Sequence, residues 1–290
     1  MIDKDTYLIG VDGGGTGCRA LLVNSEMQEL SRGTGGPANV SVNFADSIAN
    51  VMGAVQQTID AAGLTDLPDT RFHLHLGLAG VLSEDMVQRV TDACAWPNVT
   101  VTDDRAAAVA GALGPDDGSL LVIGTGTIIA SRKAGNLRVA SGWGFRVGDQ
   151  GSGAWLGRRL LEETLHAHDG IRAQTDLTRE ILTQFNNRAD EITMFSMQAG
   201  QRDYADLAPR LTQALQAGDP VARELMNEGA DQLLAGLRAT GFEPGDTLCI
   251  AGGIGPYIRD CLPGDVTAGL RDVLGSPLDG AVLLAQDAVR

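Results

Sequence analysis

The stretch YLIGVDGGGTGCRALLV, residues 7–23, constrains the fold of this chain more than any other segment. An apolar run ends in a glycine-rich group, Gly13, Gly14, Gly15 and Thr16, and a second apolar run follows. Two short apolar runs joined by glycines predict a β-hairpin with a tight turn. Glycines also let backbone N–H groups approach an anion closely, so the pattern indicates a phosphate-binding turn, with an ordinary glycine-rich hairpin as the alternative.

Two better-known glycine loops do not fit this stretch. A P-loop requires a lysine after its glycines, and none follows here. The dinucleotide-binding fingerprint requires glycine where Cys18 stands, and then a helix rather than a strand. Asp12, at the end of the first run, places a carboxylate beside the predicted turn, where it can hold Mg²⁺ directly or through water.

A second copy of this scheme occurs at residues 119–130, SLLVIGTGTIIA. Its predicted turn contains Gly124, Thr125, Gly126 and Thr127. Two such hairpins in one chain indicate a duplicated domain that binds a nucleotide.

The paired turns resemble the two phosphate loops of the actin-like superfamily of sugar kinases and heat-shock ATPases. Within it, the chain is identified as a member of the BadF/BadG/BcrA/BcrD-type ATPases and resembles their glucosamine and N-acetylglucosamine kinases over nearly its whole length. The resemblance implies an α/β fold with duplicated actin-like (ribonuclease H-like) domains and a nucleotide cleft between them. The expected domains are residues 1–113 and 114–290, with a last helix at about 277–289 packing back on the first domain.

The segment after the first hairpin carries a predicted sugar-binding residue. Residues 28–32 predict a third strand, and residues 33–39, GTGGPAN, form a run of turn-forming residues. By spacing alone, Asn39 and Asn43 are equal candidates for the cap of a helix predicted over residues 44–62. The GGPAN sequence resembles the sugar-contacting loop of the glucosamine kinases, which implies that Asn39 binds the sugar.

Asp103 and Asp104 stand between a strand predicted at residues 99–102 and an alanine-rich helix. Asp103 is expected to cap that helix, which leaves Asp104 free to point into a cleft. Carboxylates at strand ends are common catalytic positions in α/β folds. The pair resembles the Asn-Asp or Asp that the family kinases carry here, and this match implies that Asp104 is the catalytic base and contacts the sugar.

Residues 141–153, SGWGFRVGDQGSG, are too rich in glycine for a regular helix. They resemble the Gly-Gly-Trp-Gly…Gly-Asp-Glu-Gly-Ser signature of the same kinases, in which the Asp contacts sugar hydroxyls, so Asp149 is implied to bind the sugar. Ser141 replaces a glycine of the signature and Gln150 replaces its Glu. The loss of that carboxylate weakens the expected attraction for a substrate ammonium group.

The second half of the chain is mainly helical by pattern. Helices are predicted from Ser152 to about His168 and at residues 176–185, 206–217 and 219–240. A glycine pair, Gly252 and Gly253, then follows a buried strand; it resembles the adenosine motif of the superfamily, with a structural turn as the alternative.

Two histidines raise the question of a metal site. His73 and His75 alternate along a strand predicted at residues 72–78 and would share one face of it. Such a face suits a metal, but partly exposed strand surface is the preferred interpretation.

Composition excludes several classes of function. The formal net charge of −15 argues against non-specific nucleic-acid binding and against docking on an anionic membrane. No apolar run is long enough to span a membrane, and the first residues lack a signal-peptide pattern. The four cysteines are scattered without C-x-x-C spacing, which favours reduced thiols in a cytoplasmic protein.

Together these features predict an ATP- and Mg²⁺-dependent kinase that phosphorylates an amino sugar at its 6-hydroxyl, with glucosamine preferred over N-acetylglucosamine. One alternative is an activator ATPase of a CoA-ester dehydratase or reductase, whose shared iron–sulfur cluster needs cysteines in a region that has none here. Another is a non-catalytic sugar sensor, although sugar-kinase-like repressors carry a DNA-binding segment that we do not find. The family implies a homodimer with no nucleic-acid or membrane partner.

Overall fold

Two five-stranded mixed sheets form the framework of the computed structural model, which describes residues 3–290. The strands of the first sheet are Tyr7–Gly13 (β1), Cys18–Asn24 (β2), Glu29–Gly35 (β3), Phe72–Leu78 (β4) and Val99–Asp103 (β5). The strands of the second sheet are Gly118–Ile123 (β6), Thr127–Lys133 (β7), Asn136–Val139 (β8), Leu248–Ala251 (β9) and Leu270–Arg271 (β10).

The helices divide between the two sheets. Those around the first sheet are Phe44–Ala61 (α1), Glu84–Cys94 (α2) and Asp104–Leu113 (α3). The helices that follow in the chain are Gly153–His168 (α4), Asp176–Gln184 (α5), Ala189–Gln198 (α6), Gln201–Ala205 (α7), Ala208–Gln216 (α8), Pro220–Ala239 (α9), Gly255–Arg259 (α10), Gly264–Thr267 (α11) and Pro277–Asp287 (α12). None of these helices, within residues 3–290, has the length and apolarity needed to cross a membrane.

Both sheets repeat one strand order. The first runs β3-β2-β1-β4-β5 and the second runs β8-β7-β6-β9-β10. In each, the opening hairpin is antiparallel, the third strand extends it, and the fourth strand pairs parallel with the first. The predicted hairpins and the predicted duplication of an α/β unit are therefore confirmed.

The chain divides into two compact units. One contains the described residues up to Asp116 together with Val273–Arg290, and the other is Asp117–Asp272. The final helix, α12, belongs to the first unit, where the Leu274 amide donates to the Ala112 carbonyl at 3.0 Å. The division into domains at residues 1–113 and 114–290 stays a prediction.

Glycines let two helices of the first unit pack unusually closely. A Cβ atom at Gly280 of α12 would lie 1.9 Å from the carbonyl oxygen of Ala107 in α3, and one at Gly111 would lie 2.0 Å from that of Ser276. At Gly10 of β1, a Cβ atom would lie 2.4 Å from the Val282 amide. Because only glycine fits at these points, α3 and α12 cover one face of the first sheet at backbone distance.

The glycine run after β2 was wrongly predicted to be a loop from residue 33 onward. Gly33 and Gly35 lie in β3, because α1 crosses this strand at backbone distance. A Cβ atom would lie 2.2 Å from the Ala54 carbonyl oxygen at Gly33, and 2.5 Å from the Asn50 carbonyl oxygen at Gly35. The glycines therefore serve helix packing rather than chain reversal.

Two further expectations need correction. Helices α6 and α7 were not predicted. Arg188 makes no side-chain capping hydrogen bond at the start of α6, whereas at the start of α7 the Asp203 carboxylate accepts from the Gly200 amide at 2.7 Å. His75 was expected on partly exposed strand surface, but it is only 2% exposed, since its face of the first sheet lies under α3 and α12.

We expect Gly280→Ala to destabilise the protein by about 1–3 kcal/mol, because the added methyl group overlaps the Ala107 carbonyl. Urea unfolding monitored by circular dichroism measures the change. The matched control is Gly53→Ala in α1, where a Cβ atom meets nothing within 4 Å; the helical preference of alanine should stabilise that variant by about 0.5–1 kcal/mol. Equal stability of the two variants would contradict the close packing of α3 and α12.

Candidate active site

The site in the first unit is built where three parallel strands end. Strand β4 pairs parallel with β1 on one side and with β5 on the other, so Asp12, Gly77 and Thr102 lie in one row across the sheet. The carboxyl ends of β1, β4 and β5 therefore open on the same edge. In open α/β sheets this edge is where ligands bind.

The first glycine turn is fixed to this edge by backbone hydrogen bonds. The Gly14 amide donates to the Gly17 carbonyl at 3.0 Å and closes the turn, while the Gly14 carbonyl accepts from the Ala38 amide at 2.8 Å. The Gly13 carbonyl accepts from the Ala79 amide, which follows β4, at 2.8 Å. These backbone bonds fix the position of the turn at the sheet edge.

The glycines of this turn serve different purposes. A Cβ atom at Gly13 would lie 2.6 Å from the Leu78 side chain, so packing alone requires glycine there. Gly15 meets nothing within 4 Å and is exposed, as is Thr16. A cavity of about 290 Å³ lies at the turn and is lined in part by Gly14, Thr16 and Asp12. The open side of the turn is where an anion would reach the backbone amides.

Asp12 is the carboxylate nearest to this turn. Its Oδ2 atom accepts a hydrogen bond from the Arg19 guanidinium at 2.5 Å, and its side chain is 17% exposed against 58% for Arg19. The described residues contain no cluster of three His, Cys, Asp or Glu side chains that would hold a metal alone. Magnesium in phosphate-binding sites uses one or two carboxylates together with substrate phosphates and water, so Asp12 fits that donor set.

Asp103 and Asp104 have the different environments that the sequence predicted. Asp103 caps α3: its Oδ1 atom accepts from the Arg105 amide at 2.8 Å and from the Ala106 amide at 3.3 Å. Its Oδ2 atom pairs with the Arg105 guanidinium at 2.8 Å. Asp104 is the first residue of α3 and uses no oxygen for capping.

Burial raises the pKa of Asp104 to about 6, and the negative charge of Asp103 adds to the shift. Asp12 also raises this pKa, while Arg105 lowers it. A carboxyl group with a pKa near 6 is ionised at neutral pH and still basic enough to accept a proton efficiently. Perturbed carboxylates of this kind concentrate at functional sites.

The choice between Asn39 and Asn43 is resolved for the helix cap. Asn43 caps α1 by accepting from the Asp46 amide at 3.3 Å. The Oδ1 atom of Asn39 accepts from the Ser41 amide at 3.1 Å and from the Ser41 hydroxyl at 2.7 Å. A Cβ atom at Gly80 would lie 2.4 Å from this Oδ1 atom, so Asn39 lies directly against the chain that leaves β4. Asp12, Asn39 and Asp104 therefore belong to one edge of the first sheet.

The second glycine turn, in the other unit, is fastened to the start of α4. The Gly124 amide donates to the Gly126 carbonyl at 3.0 Å, and the Gly124 carbonyl accepts from the Gly153 amide at 2.8 Å. Thr125 is exposed, whereas Thr127 is buried and its hydroxyl donates to the Gln150 carbonyl at 3.4 Å. Any role of Thr127 in binding an anion therefore belongs to its backbone rather than to its hydroxyl.

Asp149 lies beneath this second turn and is only 4% exposed. Its Oδ2 atom accepts from the Gln201 side-chain amide at 3.1 Å, and a Cβ atom at Gly126 would lie 3.0 Å from that oxygen. The Oδ1 atom is buried without a hydrogen-bond partner among the described residues. Burial raises the pKa of Asp149, while the polar backbone at Gly144 and the hydrogen bond from Gln201 lower it. An unsatisfied buried acceptor matches a ligand hydroxyl that donates to it.

Two residues that the sequence patterns did not indicate contact proposed site carboxylates: Arg19 contacts Asp12, and Gln201 contacts Asp149. Gln201 starts the short helix α7 and also approaches the Thr125 carbonyl, with Nε2 at 3.4 Å. Arg19 directly follows the first turn and lies opposite Asp12 in the register of the hairpin. That register was available from the sequence, whereas nothing in the sequence near Gln201 indicates its position.

In the glycine pair after β9, packing requires one glycine, while the other is open to solvent. Gly252 has φ of +90°, and a Cβ atom on it would lie 2.3 Å from the Ile123 carbonyl oxygen. Gly253 is exposed and meets nothing within 4 Å. The next helix, α10, contributes Tyr257 to a cavity of about 560 Å³ that α9 lines with Arg223 and Asn227. No motif in the sequence indicates this cavity.

Comparisons with known proteins agree on one family. A model of the BadF/BadG/BcrA/BcrD ATPase family matches residues 9–255. Glucosamine kinase GspK of Vibrio cholerae is 30% identical over 280 residues, which is 96% of this chain and 95% of that protein. N-acetyl-D-glucosamine kinase of Dictyostelium discoideum is 29% identical over 245 residues, or 78% of this chain and 76% of that protein.

The similarity extends to a solved structure. The crystal structure of a candidate N-acetylglucosamine kinase from Chromobacterium violaceum matches with a TM-score of 0.85 and 32% identity. The match covers 97% of this chain and 99% of that one. With the repeated strand order of the two sheets, it confirms the predicted two-domain actin-like fold.

We expect Asp104→Asn to stabilise the protein at pH 7–8 by on the order of 1–2 kcal/mol. The folded state raises the pKa of this carboxyl from 3.8 to about 6, so it favours the protonated form. The stability that the protonated carboxyl group of Asp104 contributes is fully present below pH 4 and is lost as the pH rises through 6. The asparagine variant should therefore exceed the wild type above pH 6 and match it below pH 4.

Thermal unfolding between pH 4 and pH 8 measures this difference. Asp103→Asn is the control, because it removes the ion pair with Arg105 and should not stabilise the protein at any pH in this range. A wild-type protein as stable as Asp104→Asn at pH 8 would show that Asp104 is not held in a desolvated position.

Proposed function

This chain belongs to the BadF/BadG/BcrA/BcrD ATPase family, and from that premise we propose that it is an ATP-dependent kinase that transfers phosphate to the 6-hydroxyl of glucosamine. The observation that carries the proposal is the position of Asp104. A carboxyl group with a raised pKa stands at the same sheet edge as Asp12 and the first glycine turn. The similarity to a glucosamine kinase along 96% of the chain supports the choice of sugar.

In this proposal the two glycine turns bind the phosphates of ATP. Backbone N–H groups within residues 13–16 and 124–127 donate to phosphate oxygens, except those of Gly14 and Gly124, which close their own turns. Both turns have an open position, since a Cβ atom at Gly15 or at Gly124 would meet nothing within 4 Å. The net charge of −15 repels a nucleotide at long range, so these local donors must supply the binding. Asp12 would hold Mg²⁺, which when bound neutralises charge on the transferring phosphoryl group.

Asp104 is proposed to act as the general base. Phosphoryl transfer requires alignment and charge stabilisation above all, and the base accepts the proton of the attacking hydroxyl while directing it in line. With a pKa of about 6, Asp104 is mostly ionised at neutral pH and can perform this step. Asp103 cannot substitute for it, because capping and the ion pair with Arg105 occupy both of its oxygens.

Asn39 and Asp149 are proposed to orient the sugar ring. The Oδ1 atom of Asn39 is held by Ser41, which fixes the amide so that its Nδ2 donor can reach a sugar oxygen. Asp149 offers the buried Oδ1 acceptor to a sugar hydroxyl.

We place the adenosine moiety at Gly253 and the cavity beyond it. The open glycine lets a planar group lie flat on the backbone, and Tyr257 offers an aromatic ring beside Arg223 and Asn227. Gly252 contributes by fixing the turn on β6 rather than by touching the ligand.

N-acetylglucosamine is the second candidate substrate, and Gln150 is the observation that favours it. The side chain at this position is exposed and carries a neutral amide where the related signature has a carboxylate. A neutral amide can pair with an acetamide group but attracts an ammonium group less strongly than a carboxylate does. An N-acetylglucosamine kinase is also among the relatives.

The activator ATPase and the sensor are less well supported. Cys18, Cys94 and Cys249 are buried, and burial raises the pKa of each thiol, which disfavours thiolate ligation of iron. A sensor would not need the raised pKa of Asp104. Cytoplasmic location and a homodimeric state are further parts of the proposal.

We expect ADP release in the presence of ATP and Mg²⁺ to depend on an added amino sugar. Glucosamine should give the highest kcat/KM in a comparison with N-acetylglucosamine, N-acetylmuramic acid and glucose. Asp104→Asn should lower kcat by about 10²–10⁴-fold with little change in ATP affinity, because it removes the base but no phosphate contact. ADP release independent of sugar would favour the activator ATPase, and no release would favour the sensor.

We expect Gly15→Ala to weaken ATP binding about tenfold or more without loss of stability. The added methyl group meets no protein atom within 4 Å, but it lies on the open side of the turn where a phosphate would contact the backbone. Isothermal titration calorimetry with a non-hydrolysable ATP analogue and thermal unfolding measure the two effects. If both the nucleotide affinity and the stability are unchanged, the first turn does not bind phosphate as proposed.

A further inference from the structure

His75 is a buried polar residue that the proposed mechanism does not use. It lies in β4 on the face covered by α3 and α12 and is 2% exposed. Its two ring nitrogens contact two threonines of β5: Nδ1 lies 2.8 Å from the Thr100 hydroxyl and Nε2 lies 3.0 Å from the Thr102 hydroxyl. The imidazole therefore bridges the part of β5 that leads directly into Asp103 and Asp104.

The ring is neutral at the pH of a cytoplasmic enzyme, because burial lowers the pKa of His75 to about 4. A neutral imidazole donates from one nitrogen and accepts at the other, so its two contacts cannot be alike. The other contacts of the two threonine hydroxyls show which ring nitrogen donates and which accepts. The Thr102 hydroxyl donates to the Asp103 carbonyl at 2.9 Å and is therefore free only to accept from His75. The Thr100 hydroxyl has a single proton and two acceptors in reach, Nδ1 at 2.8 Å and the Leu74 carbonyl at 3.2 Å, and we assign the proton to the shorter contact, which leaves the Leu74 carbonyl without it.

These contacts form one directed chain of hydrogen bonds. The Thr100 hydroxyl donates to Nδ1 of His75, Nε2–H of His75 donates to the Thr102 hydroxyl, and the Thr102 hydroxyl donates to the Asp103 carbonyl. That carbonyl belongs to the peptide group that joins Asp103 to Asp104. Because Asp104 is the first residue of α3, the orientation of this peptide sets the direction in which its side chain leaves the helix.

We infer that His75 is a positioning residue for Asp104, acting through Thr102 on the peptide between the two aspartates. The kinetic part of this inference rests on the proposed function, in which Asp104 is the base. Phosphoryl transfer is sensitive to small errors in alignment, and a base supported by a second layer of fixed side chains holds its geometry better than one on a free loop. The buried imidazole is suited to this task because it cannot rotate without breaking both of its hydrogen bonds.

Thr102→Val tests the link with the least change in shape, since it replaces a hydroxyl by a methyl group. We expect it to lower kcat about tenfold with less than a twofold change in KM for ATP. The carboxyl pKa of Asp104, followed by ¹³C NMR and assigned with Asp104→Asn, should fall by about half a unit or more, because a released peptide lets the carboxylate reach solvent. Thr102→Ser keeps the hydroxyl and should restore both quantities to near wild-type values.

Thr100→Val is the matched control on the same strand. It removes one of the two bonds that hold the His75 ring but leaves the bond from Thr102 to the Asp103 carbonyl, so it should lower kcat less than Thr102→Val does, by about threefold. Nitrogen NMR of His75 in the wild type should show a neutral ring protonated at Nε2 from pH 6 to pH 8. A protonated imidazolium, or a neutral ring protonated at Nδ1, would overturn the direction of the chain.

The inference is wrong if Thr102→Val retains both the wild-type kcat and the wild-type pKa of Asp104. Loss of stability in Thr102→Val without a change in this pKa would assign His75 a structural role alone. Failure of the proposed function gives a different result, namely a wild-type protein without sugar-dependent ADP release. In that case the NMR titration of Asp104 still decides whether His75 and Thr102 position it.

Discussion

Parallel pairing of β1, β4 and β5 is the constraint on which the candidate site in the first unit depends. It brings the carboxyl ends of three strands that are distant in sequence to one edge, with Asp12, Gly77 and Thr102 in register. The first glycine turn, the Asn39 segment and Asp104 are each attached at that edge by backbone bonds or by direct continuation of a strand. A shift in register would therefore move every proposed catalytic group at once.

One face of the first sheet is closely covered by α3 and α12, and glycines in these two helices make that packing possible. Their near contact at Gly111 and Gly280 encloses the sheet face that carries His75, and it allows a polar ring to be buried where a sequence pattern suggests surface. Burial has two chemical consequences in this unit. It keeps His75 neutral, and it raises the pKa of Asp104 towards the range in which a carboxylate acts as a base. Burial thus sets the protonation behaviour of both side chains, in opposite directions for the imidazole and the carboxyl group.

Local signals predicted much of this structure correctly. Both hairpins, the capping by Asp103 and Ser152, and the long helix that starts after Asp219 follow from glycine turns, capping side chains and apolar periodicity, which act within a few residues of chain. The errors occur where distant segments meet. Gly33 and Gly35 serve the approach of α1, and Gln201 reaches Asp149 from a short helix that was not predicted.

The sequence by itself determined the duplicated α/β plan, the family and the residues proposed for phosphate, sugar and base roles, because each is carried by a short motif whose chemistry is local. The tertiary structure alone decided which glycines are fixed by packing and which stay open to a ligand, as Gly13 and Gly15 illustrate. It also decided that the Oδ1 atom of Asp149 is buried without a hydrogen-bond partner among the described residues and that His75 is linked through Thr102 to the Asp103 carbonyl. Burial and hydrogen bonding depend on neighbours from distant parts of the chain, and only folding brings those neighbours together.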